Sequence, residues 1–494
     1  MKTRSIGALL ITAAAAVAQE PLSQYLDTAF GWLPGMMPEQ TVPASLRQGM
    51  PPEHQQSRRY GGVPTSVSLL EQSNRRAAAA GDSLTWGNWQ LFPSSAPRFM
   101  PYLDSVFVPG NTCAEPCTFV QCDPISTGAQ RVKKILSDYG LQYNAVASYN
   151  YARIAPSIRG KRNNFSAFNF QAAGKWFLAR TRNNAHSIFL SFEADLGLGV
   201  NFNQRRGGVQ SSLGSLSQPQ SSLRGGNGVF LPELALGFSA FDGQWVGMVG
   251  TLDVSNYLDQ NAYAGSWHGN LTNSAFGSNP CLPLEWGNWG YMTAWQPSEN
   301  FYAMYATTGS NGGINRNPFR YISRDYWVHV GEIGFISDDV WGMGPGTYRL
   351  QYTITRHDGA TGDGVACNIQ QQLGHNSRLG FFTRCGYLDS DASAVTGVRA
   401  AATAGLVLQA PFTSSGWGSQ QNNDQVGFGF LWQRAGGTEK PYAHKDEYGL
   451  ELTAVVQLTP TFYLQPDIQY IFNPVHAESR DHAVVLQLQG VFAF

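Results

Sequence analysis

Charged and amide side chains recur at every second position through long stretches of this 494-residue chain, a spacing that puts them together on one face of an extended strand. Glu193 and Asp195 are two apart, as are Gln465, Asp467 and Gln469, while Lys175 and Arg349 stand in similar alternating runs. Carboxylates and amides accept hydrogen bonds from hydroxyls, and arginine donates from a planar fork. A wall of such groups suits a hydroxyl-rich solute that exchanges hydration for weak side-chain contacts as it moves. The pairs Glu193 with Asp195 and Asp389 with Asp391 also invite comparison with the two acids of a glycoside hydrolase, but two-residue spacing on a strand supplies no cleft between them. No nucleophile-elbow pattern accompanies the serines, and the glycine-rich stretch 207–228 lacks the Lys-Ser/Thr of a phosphate loop. The expectation is a chain that is not an enzyme and needs no cofactor.

The elements that must carry these residues are strands. From Tyr448 to Phe494 one face reads Tyr448, Leu450, Leu452, Ala454, Val456, Leu458, then Phe462, Leu464, Ile468, Tyr470, Phe472, then Val484, Leu486, Leu488, Phe492, Phe494. Its partner face holds Glu451, Thr453, Gln457, Gln465, Asp467, Gln469, Gln487 and Gln489. The run from Ser187 to Phe202 has eight apolar positions on one face, longer than an ordinary half-buried strand and suited to a tilted membrane strand of ~9 to 11 residues. Similar runs recur from Leu141 onward, and their number is about sixteen. The predicted fold is all-β: a transmembrane antiparallel barrel of about sixteen strands, apolar side to lipid and polar side to water. Short breaks are expected on the periplasmic rim, with long ones such as 203–227 and 256–287 outside. Trp267, Trp286, Trp289 and Trp295 are expected in the interfacial girdles.

Composition agrees. Charged residues make up only 14% of the chain, against roughly 25% in an ordinary soluble domain, while 43% is hydrophobic. A surface that meets lipid accounts for the missing charge. The formal net charge of -1 provides no basic field for nucleic acid, so a neutral solute is the default cargo. Residues 1–18 combine Lys2 and Arg4 with an apolar run too short to span a bilayer and the small residues Ala16 and Ala18, the pattern of a cleaved secretory signal. Thirteen of the 26 prolines lie between Pro21 and Pro124, so residues 19–130 read as an irregular proline-rich arm, either a plug in the pore or a periplasmic linker. The barrel is assigned to 131–494. Six cysteines, Cys113, Cys117, Cys122, Cys281, Cys367 and Cys385, permit disulfides in an oxidising compartment and lack zinc-site spacing.

One segment, LDVSNYLDQNAYAGSWHGNLTNSAF at Leu252 to Phe276, followed by the strands of 287–309, resembles the carbohydrate-selective porin family, OprB. The similarity continues through the Glu-bearing strand at His329 to Ile336, the Tyr348 strand, the Gln-rich strand before Leu373 and Leu379 to Leu388, where Arg384 stands in a Phe-x-Arg context. It closes with Asp424 to Phe430, LQPDIQYIFNP at Leu464 to Pro474 and Phe494, covering roughly residues 135–494. The resemblance implies a sixteen-stranded outer-membrane barrel of a Gram-negative-type bacterium that passes mono- or oligosaccharides by facilitated diffusion. It adds Asp253 to the inward-facing set and supports Glu332 and Arg384, which charge also places there. Outer-membrane lipid and, through the last strand ending at Phe494, the barrel-assembly machinery are the implied partners. The long arm and the six cysteines depart from the family pattern.

Overall fold

The computed structural model describes residues 30–32, 132, 136 and 141–493, except 158–160, 182–185, 201–207, 221–227, 242–243, 266–269, 285–286, 299, 311–324, 338, 375–377, 410, 412–424, 437–441, 460–461 and 479. The signal sequence, the arm apart from residues 30–32, Cys113, Cys117, Cys122, Trp267, Trp286 and Phe494 lie outside the described residues.

A three-residue strand, β1 (Phe30–Trp32), precedes sixteen barrel strands. These are β2 (Leu141–Ala155), β3 (Asn164–Thr181), β4 (Ser187–Gly199), β5 (Gly228–Ala240), β6 (Trp245–Leu252), β7 (Asn288–Ser298), β8 (Phe301–Thr308) and β9 (Trp327–Ser337). The series continues with β10 (Gly346–His357), β11 (Ala360–Gln372), β12 (Leu379–Leu388), β13 (Val398–Gln409), β14 (Gln425–Ala435), β15 (Asp446–Gln457), β16 (Phe462–Phe472) and β17 (His482–Ala493). Each pairs antiparallel with the next, and β17 returns to β2 with Gly490 opposite Tyr149. Closure leaves no sheet edge, which is what lets a sheet cross hydrocarbon with every ladder group paired. An even strand count brings Leu141 and Ala493 to the same rim, and β1 pairs there too, with Phe30 opposite Thr181.

The two faces sort as the alternation requires. On β4, Phe189, Ser191, Glu193 and Asp195 are buried, whereas Ile188 and Leu198 are exposed on the outside. Leu452 on β15 and Leu486 and Leu488 on β17 are 50%, 46% and 47% exposed, part of an apolar band that water would not tolerate and lipid would accept. Trp289 and Trp295 face outward near opposite ends of β7, at the height of the two interfaces. No helix among the described residues is long and apolar enough to cross a membrane, and the crossing is made by strands.

Two expectations change. Asp358 (φ 49°) and Gly359 (φ 84°) form a two-residue turn with both φ angles positive, so a short break joins β10 to β11 on the rim that carries the long connections. The two long connections expected to face outward, after β4 and after β6, instead send their described parts into the barrel. Val209, Leu213, Leu258, Tyr263, Leu271, Phe276 and Leu282 give them apolar side chains to bury, and the barrel interior is where these are covered. Cys367 and Cys385 are register partners on β11 and β12 and are joined as a disulfide, while Cys281 is a buried free thiol.

Candidate functional site

The described residues after β6, 253–265 and 270–284, form a strap across the barrel. It has almost no ladder partners, and its polar side chains shape it locally. Asp253 caps a 3-10 turn (Val254–Asn256) by accepting from the Ser255 N–H at 3.0 Å and from its hydroxyl. Asn261, Asn273 and Asn279 repeat the device, each accepting at 3.0 Å from the backbone N–H two residues on, at Tyr263, Ala275 and Cys281. These Asx turns satisfy backbone groups that strands would otherwise pair, so the chain can bend where it must.

The barrel wall then holds the strap from both sides. Toward β4 and β5, Asn256 donates to Glu193 Oε2 at 2.7 Å and the Tyr257 hydroxyl donates to Glu233 Oε1 at 2.6 Å, with the Ser191 hydroxyl on the same oxygen. At the centre, Asp259 occupies the left-handed region (φ 58°), and its N–H donates to Glu332 Oε2 at 2.8 Å. Glu332 also accepts from Tyr302 at 2.9 Å and Gln351 at 3.0 Å. Arg384 Nε donates to Asp259 Oδ2 at 2.9 Å, and its terminal nitrogens donate to the carbonyls of Asp259, Ala264 and Phe276. Both partners of this ion pair are 0% exposed. Asn368 donates to Asp259 Oδ1 at 2.7 Å, and Gln370 accepts from the Ala262 N–H at 2.9 Å. On the far wall Glu451 accepts from the N–H groups of Thr272 and Asn273, Gln469 donates to Thr272 Oγ1 at 2.9 Å, and Gln465 donates to the Asn270 carbonyl.

Glycines let the strap come close. A Cβ on Gly380 would lie 2.1 Å from the Tyr263 ring, and one on Gly386 would lie 2.5 Å from Cys281 Cβ. Burial raises the Tyr263 and Tyr257 phenols above their usual range, Tyr257 further because Glu233 sits beside it, and pushes the Cys281 thiol up to about 12. A second segment rests on the first. Glu447 accepts from the Ser215 hydroxyl at 2.6 Å and the Leu216 N–H at 3.1 Å; Ser274 N–H donates to Gln218 O at 2.9 Å, and the Pro219 carbonyl accepts from Gln469 at 2.7 Å.

All ten residues singled out from the sequence are buried inside the barrel, and most of them hold the strap. Glu193, Glu332, Arg384, Gln465 and Gln469 bond it directly; Asp467 accepts from Gln469 at 3.1 Å and Gln487 at 2.8 Å. Asp253 lies past the end of β6 as a cap. Lys175 lies 4.7 Å over the Phe189 ring, and Asp195 shares the inward face of β4 with Glu193. Arg349 donates to Gln370 Oε1 at 3.5 Å and lies near the Glu332 carboxylate, and its Nε has no hydrogen-bond partner among the described residues. The sequence reading missed Asp259, the residue on which Glu332, Asn368 and Arg384 converge, and also Glu233 and Glu447. Asp253, Asn261, Asn273 and Asn279, each two residues before a capped N–H, were the readable signal.

A closed barrel with an apolar exterior, a polar inner wall and a connection folded into its interior is the architecture of an outer-membrane porin. The sequence model described as carbohydrate-selective porin, OprB family, matches residues 355–494. The match is narrower than the resemblance read from the sequence; residues 141–354 are tied to porins by their fold. The high-pH structure of Pseudomonas putida OprB superposes with a TM-score of 0.57 at 16% identity, covering 78% of this chain and 100% of that one. The low-pH structure of the same protein gives 0.43 at 15% identity, over 76% of this chain and 99% of that one. An engineered porin of Rhodopseudomonas blastica gives 0.45 at 8% identity, over 72% and 100%. The fold assignment rests on the first of these. No curated protein matches the sequence.

Proposed function

We propose that this chain is an outer-membrane porin through which mono- or oligosaccharides diffuse passively, the route being set by the strap and the polar wall that holds it. The observation that carries this reading is the chemistry of the wall. Its inward groups are mainly amides, carboxylates and hydroxyls, such as Asn169, Gln171, Asp195, Thr353 and Gln433, a chemistry that trades hydrogen bonds with sugar hydroxyls at little net cost. The family match over 355–494 and the fold of P. putida OprB support the same solute class. Among the ten expected pathway residues, Lys175, Asp195 and Arg349 face the interior from β3, β4 and β10 and are assigned the solute contacts. Glu193, Asp253, Glu332, Arg384, Gln465, Asp467 and Gln469 shape the passage by fixing the strap. Export through a cleaved signal at 1–18 and insertion by the assembly machinery through the β17 end complete the reading.

Planar-bilayer conductance tests it: steps that maltose or glucose block in a concentration-dependent way are expected, and a barrel that inserts without conducting would instead favour a structural or adhesive role. A liposome-swelling series over sugars of rising size, with and without residues 19–130, separates the readings of the arm. A plug predicts a wider size cut-off after deletion; an unchanged cut-off assigns a periplasmic linker.

A further inference from the structure

On the outward face, the rim carrying the long connections holds a pair of arginines that the channel does not use. Arg399, at the start of β13, lies over the Tyr387 ring at 5.7 Å from its centroid and donates to the Tyr387 hydroxyl at 3.1 Å. Its remaining N–H groups have no acceptor among the described residues. Arg434, near the end of β14, lies over Trp432 at 5.7 Å and is held by Asp446, Nε to Oδ1 at 2.9 Å and a terminal nitrogen to Oδ2 at 3.2 Å. Trp432 Nε1 donates to the same Asp446 Oδ1 at 3.1 Å, fixing the indole under the guanidinium.

The two sites adjoin. Ala400 and Arg434 are register partners, and the ladder slips between Val398 and Ala400, so Arg399 is the extra residue beside Arg434. Both side chains are exposed. Further round the rim, Arg153 faces outward two residues before the end of β2. The rim at β9 to β11 differs: Arg356, paired with Asp325 at 3.5 Å, stacks on no aromatic ring among the described residues.

Stacking on an aromatic ring removes rotamer freedom from each guanidinium before a ligand arrives, so less order is lost on binding. A guanidinium fork matches phosphate oxygens in geometry as well as charge. Water alone would hydrate these cations, but it does not explain why two are braced side by side on aromatic rings at headgroup height. We propose that Arg399 and Arg434 form a docking site for the phosphate of an outer-leaflet lipid headgroup, with Tyr387 and Trp432 seated at the boundary where its acyl chains begin.

The test uses the full-length barrel in phosphatidylcholine vesicles, with bisphosphorylated lipid A as probe and its dephosphorylated form and inorganic phosphate as the other arms. Bound lipid is counted by native mass spectrometry after detergent extraction. The parent protein is expected to prefer the phosphorylated probe. At about fivefold per rim arginine, the double variant Arg399→Gln with Arg434→Gln should lose roughly 25-fold in affinity. Arg356→Gln, three strands away where no ring braces the guanidinium, should leave binding unchanged. Raising salt from ~0.1 M to ~1 M should weaken parental binding as screening shortens from ~10 to ~3 Å. Heat-modifiable gel mobility reports folding; if the double variant fails it, Arg399→Gln alone leaves the Arg434–Asp446 pair intact and should lose about fivefold. Equal binding of phosphorylated and dephosphorylated probes, parental affinity in the variants, or displacement of the probe by equimolar inorganic phosphate would each overturn the assignment.

Discussion

Replacing Arg384 with methionine should free the strap without opening the barrel. The guanidinium makes one ion pair, to Asp259, and three further bonds to the carbonyls of Asp259, Ala264 and Phe276, all at 0% exposure. Breaking a buried pair by deleting one partner costs about 3–5 kcal/mol, because the remaining charge stays buried and unpaired. Asp259 retains the Asn279 N–H at 2.6 Å and Asn368 at 2.7 Å, which argues for the lower end of that range. At 1.4 kcal/mol per factor of ten, local opening of the strap rises by at least about a hundredfold. Cys281 reports it, being a 0% exposed thiol on the strap itself. In a background with Cys113, Cys117 and Cys122 changed to serine and the Cys367–Cys385 disulfide intact, maleimide labelling of Cys281 should accelerate by that factor. The double variant Arg384→Met with Asp259→Asn should recover part of the loss, because no unpaired carboxylate remains. Cys281 labelling within threefold of the parent, in a barrel of normal heat-modifiable mobility, would refute the clamp.

Three further outcomes follow from the same contacts. Gly380→Val should also speed Cys281 labelling, since its Cβ would fall 2.1 Å from the Tyr263 ring and push the strap off β12 with the ion pair untouched; an unchanged rate would mean that the ring moves aside. The Cys281 thiol, raised to about 12 by burial, is neutral in the folded barrel, whereas an unfolded thiol ionises near ~8.5. The unfolded state therefore releases its proton first, and the thiol's contribution to stability is intact below ~8.5 and lost as pH climbs toward about 12; urea midpoints of Cys281→Ala and parent should converge over that window. Leu452→Arg, on the lipid face at 50% exposure, should destabilise the barrel in vesicles by ~2 to 4 kcal/mol, while Thr453→Arg on the polar face should spare insertion and alter conductance; equal costs would contradict the assigned facing.

Period-two alternation made the barrel legible from local sequence. Whether Leu190 or Ser191 faces out depends on strand geometry alone, and lipid outside with polar contacts inside rewards the same alternation on every strand, so sixteen strands, their faces and their closure could be anticipated. The turn at Asp358 and Gly359 is equally local in its residue types, yet it went unread. The proline-rich composition of 19–130 argued against regular sheet and said nothing of where that segment lies; of it the structure describes 30–32, which pair with β3.

The strap was not legible, although its residues were in view. Asp259 with Arg384 and Glu451 with Thr272 stand 125 and 179 residues apart, and no periodicity links positions so far separated. Arg384 and Glu332 were singled out as inward charges, but facing inward does not reveal whether a side chain meets a passing solute or holds a loop. That choice was made when barrel closure brought β4, β9, β12 and β15 around one interior. There, burying the apolar side chains of 253–284 required the surrounding carboxylates, amides and one guanidinium to take up the backbone groups that the strap carried in with it.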